Sequence, residues 1–446
     1  MSFNETIFGK YPTDWNLSDF GELISIITDY HANGSYKILK ENVELKDDKD
    51  YAVMIRTTNF EQNSFSENDF KYISKEAYEF LSKTKVYEND LLMNKIANAG
   101  SVYKMPKLDK PVSLAMNLFL IRSNEKKLDK VYMYYFLKNY EKYVKTYAEG
   151  SVTKTITKDN VRKLKIAYPE LYEQKSICNI LSNIEGRIEV NNKINQKLEE
   201  IAQAIFKQWF IDFDFPNEEG KPYKSSGGEM VESELGMIPK GWQVKTLDNI
   251  VDIFNGYSYK GTELSESKDA MVTIKNFNRN GGYKIDGLKE IIISDKVKSH
   301  HYVEVGDIIV AHTDLTQGAE IIGNPIIITS KGKYDKLIMS MDTVKVRSKI
   351  KEISNNIIYL ILKDDRFKGF ALGYVNGTTV LHLSKKAIPS YQVAIPDNID
   401  ILAKLDEIIN PLITKQVNIT KQIEKLVETR DTLLPKLMSG EIRVPL

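Results

Sequence analysis

Residues 173–210 read EQKSICNILSNIEGRIEVNNKINQKLEEIAQAIFKQWF, and this stretch decides how the rest of the chain is organised. It holds no proline, a single glycine, and apolar residues at Ile177, Ile180, Ile184, Ile194, Leu198, Ile201 and Ile205. Steps of three and four, averaging ~3.5 residues, are the period of a long helix lying along another in a left-handed supercoil. Such a helix needs a second seam. The chain supplies one: Leu402, Leu405, Ile409, Leu412, Gln416, Ile419, Ile423, Leu426, Arg430, Leu433 and Leu437 take the same steps. Adding 225 to the first set of positions lands on the second. The expectation is two copies of one helix, packed through Ile184, Asn191, Ile194, Leu198, Ile201, Ile205, Gln416, Ile419, Ile423 and Leu426. Asn191 and Gln416 hold equivalent places, and two readings stand side by side: a buried polar pair that fixes register at some cost in stability, or an exposed polar layer.

The copying extends beyond the helices. Gly9, Pro12 and Trp15 in GKYPTDW return as Gly236, Pro239 and Trp242 in GMIPKGW, displaced by 227. Asp90 in YENDLLM matches Asp307 in VGDIIV, each before an apolar strand. MNLFLIRS (116–123) matches MDTVKVRS (341–348), and VYMYYFLK (131–138) matches NIIYLILK (356–363), both at 225. GSVTKTITKDNVRKLKIAYP (150–169) aligns without a gap on GTTVLHLSKKAIPSYQVAIP (377–396). Self-similarity at a drifting but recovering displacement marks a tandem duplication with loop insertions. Each copy reads as a mixed α/β domain of roughly 160 residues feeding a long helix, with strand-like runs between turns rich in Gly, Asn and Asp. The aromatic stripe Tyr132, Tyr135, Phe136 and Tyr143 reads as core-facing in preference to a nucleotide-stacking surface. The expected boundaries are a first domain at 1–170, a first helix at 171–212, a linker at 213–236 rich in Pro, Gly and Ser, a second domain at 237–398 and a second helix at 399–440.

Connectivity makes the two helices antiparallel. A compact second domain begins at the end of the first helix and ends at the start of the second, so those helix ends are neighbours. The fold class is therefore α+β: two tandem-duplicated mixed α/β domains separated by two long antiparallel coiled-coil helices, with pseudo-twofold symmetry. A helix of this length, at ~1.5 Å per residue, spans roughly 57 Å. On B-DNA, at ~34 Å per turn, that rod sets two heads one to two turns apart and suits a bipartite site.

Composition excludes several classes. The chain of 446 residues carries net charge +1, so it is not a bulk polycation, and any nucleic-acid contact must be local. No apolar run reaches membrane-spanning length, and the polar start MSFNETIFGK is no signal peptide, which points to the cytoplasm. The single cysteine, Cys178, excludes an internal disulfide, and five scattered histidines offer no metal-ligand spacing. There is no GxxxxGK[ST] phosphate loop, and no NPP[FY] methyltransferase motif, since Asn324-Pro325 and Asn410-Pro411 are followed by Ile and Leu. Glu219-Gly220-Lys221 with Asp212 or Asp214 imitates part of a nuclease site, but it lies in the linker. No catalytic residue, metal or cofactor is expected.

DNA contact requires donors and acceptors on exposed loops. In the first domain the candidates are Arg56, Thr57 and Asn59 of RTTNF, Asn94, Lys95, Asn98 and Ser101 of NKIANAGS, and Lys154 after Thr153. In the second they are Lys275, Asn276, Asn278 and Arg279, then His312, Thr313 and Gln317, then Thr378, His382 and Lys385. Each group occupies corresponding places in the two copies.

The duplicated plan, the run LSNIEGRIEVNNKINQKLEEIAQAIFKQWFIDF, the segment ESELGMIPKGW and the terminal IEKLVETRDTLLPKLMSGEI together resemble the DNA-specificity subunits of type I restriction-modification systems. The resemblance covers essentially the whole chain. It implies that each domain recognises one half of a split, asymmetric sequence in double-stranded DNA. It also implies that the helices bind two methyltransferase subunits and that restriction and translocase subunits complete the complex. S-adenosylmethionine, ATP and Mg then belong to those partners alone. A second reading is a non-catalytic two-headed scaffold for proteins or single-stranded nucleic acid.

Overall fold

The computed structural model describes residues 2–444, except 64, 66, 68, 69 and 280. The chain divides into two compact units, residues 1–186 with 427–446, and residues 187–426. The first long helix, Leu171–Phe210, and the second, Ile399–Met438, are forty residues each, and each contributes to both units. No helix among the described residues is long and apolar enough to cross a membrane.

The first unit opens on a hairpin, Phe3–Thr6 with Gly9–Pro12, and a pair formed by Asn16–Asp19 and Lys165–Tyr168. Two four-stranded sheets follow. One runs in the order 71–73, 52–55, 112–114, 85–86, with its central pair parallel. The other runs 24–29, 118–123, 91–94, 102–104, antiparallel throughout. The second unit repeats this plan strand for strand. Met230–Ser233 pairs with Gly236–Pro239, and Trp242–Thr246 pairs with Gln392–Pro396. Its sheets run 289–290, 269–272, 336–339, 302–303, again parallel at the centre, and 251–255, 343–348, 308–311, 325–327. In the second unit 313–314, 381–383 and 375–376 form a small sheet, and the first unit makes the corresponding pairings as single bridges, Ile96 with Thr155 and Glu149 with Thr155. The fold is thus a mixed α/β domain made twice.

The matched sequence pieces are framework devices. Arg122 grips buried Asp90 through Nε at 2.8 Å and Nη2 at 2.6 Å, while Asp90 also accepts the Tyr87 N–H. Arg347 repeats the contact on Asp307 at 2.7 Å, and Asp307 accepts the Glu304 N–H. Gly150 and Gly377, at φ +112° and +113°, each turn the chain so tightly that a Cβ would lie 2.4 or 2.1 Å from the backbone oxygen of Thr153 or Val380. The aromatic stripe is core: Tyr132, Tyr135, Phe136 and Tyr143 are all buried.

Residues 213–236 connect helix and domain but are folded rather than slack. Phe213 and Phe215 are buried and pack on the Trp242 ring, which also receives Phe210. Asp214 accepts the Ser225 N–H and hydroxyl, and residues 230–233 already belong to the second hairpin. Aromatic residues between the Pro and Gly positions supply the burial that composition alone hides.

In the second unit the helices run antiparallel, because Glu199 and Asn195 of one meet Gln416 and Thr420 of the other in opposite order. The seam corrects the heptad reading. Leu198, Ala202, Ile409, Ile413 and Ile419 are buried and Ile205 is half-buried, whereas Ile194 and Ile201 are 37% and 47% exposed. The inward face follows 195, 198, 202, 206 and 209, which keeps the steps of three and four but is turned by about one residue from the 194, 201 and 205 reading, because the helix also packs on its own domain. The polar layer is likewise displaced. Gln416 Nε2 donates to the Asn195 carbonyl at 3.0 Å and to Glu199 at 3.2 Å, and Tyr359 donates to Glu199 at 2.8 Å. Asn195, one turn beyond Asn191, is the residue opposite Gln416. Ile184, Asn191, Ile423 and Leu426 are half-buried.

Candidate nucleic-acid interface

Both domains follow a strand of their parallel central pair with a 3-10 helix, Thr57–Asn63 in one and Ile274–Asn276 in the other, whose first turn carries an asparagine. Asn59 Oδ1 accepts the Arg56 N–H at 2.9 Å, and Asn276 Oδ1 accepts the Thr273 N–H at 2.8 Å. Each asparagine is 0% exposed, and each is followed by a buried phenylalanine, Phe60 or Phe277. Asn59 and Asn276, expected at DNA, are therefore turn staples. The neighbours they hold outward, Thr57 in one domain and Lys275, Asn278 and Arg279 in the other, are at least partly exposed, and Arg56 is half-buried. Position 280, the end of the quoted KNFNRN run, lies outside the described residues.

In the first domain the candidates converge. A cleft of about 510 Å³ is lined by Thr57, Asn94, Asn98 and Ser101, together with Tyr103 and Glu141. Ala97, at φ +65°, donates its N–H to the Lys154 carbonyl and brings the 153–155 turn alongside. Asn94 and Ser101 are buried in the wall: Ser101 donates to Glu141 at 2.8 Å, and Asn94 Oδ1 accepts the Ile96 N–H. Burial pushes the Glu141 carboxyl up, but Lys145, Ser101 and Lys138 outweigh it and hold the group below the ordinary carboxylate range. Asn98 and Lys154 are the exposed members. Lys95 is already engaged, with Asp29 at 2.7 Å and the Met116 carbonyl at 3.2 Å. Burial raises the Asp29 pKa, and the bonds from Lys95 and Lys158 more than reverse it.

In the second domain His312 occupies the place of Lys95. Its N–H donates to the Asp342 carbonyl and its carbonyl accepts from Leu383, as Lys95 does with Asn117 and Ile156. Burial, with the Lys385 charge beside it, pushes the imidazole down to about 4. His312 is therefore neutral near pH 7 and does not bind phosphate as a cation. Thr313 is buried and pairs in the sheet with exposed His382. Gln317 donates to the Thr378 carbonyl, and Arg279 meets Glu320 at 3.0 Å with both side chains open to solvent. An exposed pair of this kind is worth only ~0–1 kcal/mol. Gln317, Thr378, His382, Lys385 and Arg279 thus gather around the 312–324 loop. Sequence reasoning missed Lys138 and Lys363, which close the matched octapeptides and lie beside the first cleft and against Gly281.

Residues 12–200 and 239–429 each match the model of the type I restriction modification DNA specificity domain. The chain belongs to that family. It is 28% identical to the type I restriction enzyme MjaIX specificity subunit of Methanocaldococcus jannaschii, over 99% of this chain and 96% of that one. It is 25% identical to the HindI specificity subunit of Haemophilus influenzae, over 64% of this chain and 71% of that one. Among solved structures, the type I restriction-modification S subunit from M. genitalium matches with a TM-score of 0.52 at 17% identity, covering 95% of this chain and 96% of that one, which supports the duplicated fold. The two family domains share one framework and differ at the edges that carry the candidates. The loop after strand 91–94 occupies 95–101, whereas its counterpart after strand 308–311 runs from 312 to 324.

Proposed function

We propose that this chain is the sequence-recognition subunit of a type I restriction-modification complex, reading duplex DNA as a split, asymmetric site with one half per domain. The observation that carries the reading is the pair of family-matching domains with one framework and unequal loops. Identical loops would favour a palindrome, and unequal loops favour two different half-sites. The chain itself performs no chemistry in this reading. Two methyltransferase subunits, docked on the long helices, use S-adenosylmethionine, and separate restriction subunits use ATP and Mg, all in the cytoplasm. The exposed apolar residues Val190, Ile194 and Ile201 of the first helix suit such docking.

Co-expression with the cognate methyltransferase subunit, followed by sequencing of methylated positions in genomic DNA, tests the proposal. One split motif is expected, with one half altered by exchange of residues 1–170 and the other by exchange of 237–398. Formation of no complex and methylation of no motif would overturn it in favour of the scaffold reading.

A further inference from the structure

The longer loop of the second domain is held from beneath by charges of both signs. Asp314, 1% exposed, accepts the N–H groups of Thr316 and Ile321 at 2.8 Å and the Thr316 hydroxyl at 2.8 Å. Lys368, on the helix Asp365–Leu372, donates to the carbonyls of Ile322 at 2.6 Å, Ala319 at 3.0 Å and Glu320 at 3.3 Å. One carboxylate thus gathers the loop's donors and one ammonium gathers its acceptors. Such a cage fixes backbone that would otherwise be free to rearrange. The loop ends are closed by paired bonds between Ala311 and residues 323 and 324. Burial lowers Lys368 to about 8, with Asp314 opposing and Lys363 adding to the fall, so the ammonium keeps its proton at neutral pH.

The framework contacts recur in both domains, as the Asp90–Arg122 and Asp307–Arg347 pairs do. This cage does not. By the displacement of 217 that pairs Lys95 with His312, Ala97 stands where the second domain has Asp314, so the first domain lacks the carboxylate of the cage. The cage therefore accompanies the longer loop rather than the common fold. At the tip of that loop Gln317 is exposed, beside Thr378.

Resting on the proposed function, we propose that Asp314 and Lys368 are positioning residues for half-site recognition, holding the 312–324 loop so that Gln317 meets base edges in a fixed place. Gln is a bidentate reader of adenine in the major groove, and one well-placed contact is worth roughly tenfold or more in discrimination. A loose loop loses that difference while phosphate contacts persist.

The test uses the full chain assembled with its methyltransferase subunits, with methylated motifs read from genomic DNA. Lys368→Met is expected to lower discrimination by roughly tenfold at one or more positions of the half-site assigned to residues 237–398, and to leave the other half-site unchanged. Lys368→Arg should restore part of it. Gln317→Ala, an exposed change that leaves the cage intact, should relax the same positions. Unaltered discrimination in Lys368→Met and Gln317→Ala would overturn the inference while leaving the recognition reading standing. Equal loss in both half-sites with a lowered melting temperature in Lys368→Met would also overturn it, since that is a folding effect. A wild-type complex with no split motif would instead fail the underlying reading and take this inference with it.

Discussion

Replacing Asp90 by alanine removes the carboxylate that holds Arg122 and the Tyr87 N–H in the first unit. Breaking a buried ion pair from one side costs ~3–5 kcal/mol, because the remaining charge has lost its partner in a poorly solvated place. Asp90 is nearly buried, but the Arg122 side chain is 28% exposed, so water can reach the abandoned guanidinium. Arg122 also keeps its bond to the Lys85 carbonyl. These two features reduce the expected cost to about 2–3 kcal/mol, or a rise of roughly 30- to 150-fold in local opening. Hydrogen exchange measures this directly at the amides of strand 91–94, with strand 308–311 of the other unit as internal reference. The double change Asp90→Ala with Arg122→Met should recover most of the loss, because it leaves no unpaired charge. A cost below ~0.5 kcal/mol, or a double variant no better than the single one, would refute the claim that this pair staples the domain.

Gly377→Ala should destabilise the second unit by at least ~2 kcal/mol, because a positive φ is combined with collision against the Val380 oxygen. Gly236→Ala, at φ +87° but with open space around it, should cost only ~1 kcal/mol, and denaturant titration of the two variants gives the comparison. The His312 imidazole titrates near 6.5 when free and near 4 in the fold. Between those values the unfolded chain binds more protons, so stability is complete above about pH 6.5 and falls as pH drops toward 4, by up to roughly 3 kcal/mol. His312→Asn should flatten that acid limb in denaturant titrations run across the window, and an unchanged limb would assign it to other groups.

The sequence by itself determined the duplication, the two long helices and their antiparallel course, because these follow from residue period, displacement and connectivity. It also located the loops where the copies differ. Tertiary structure decided which polar residues are available. Asn59 and Asn276 have a base-reading composition, yet both are consumed by their own turns. Lys95 is spent on Asp29, and His312 is held neutral by burial. Hydrogen-bond partners distant in sequence settle such questions, and no local pattern encodes them. The seam shows the same limit. A repeat of three and four residues finds the helix, but whether Ile194 or Asn195 faces inward depends on Gln416, Thr420 and Tyr359 arriving from elsewhere in the chain. Periodicity fixes a helix's face only to within about one residue, or ~100° of rotation, and packing selects the rest.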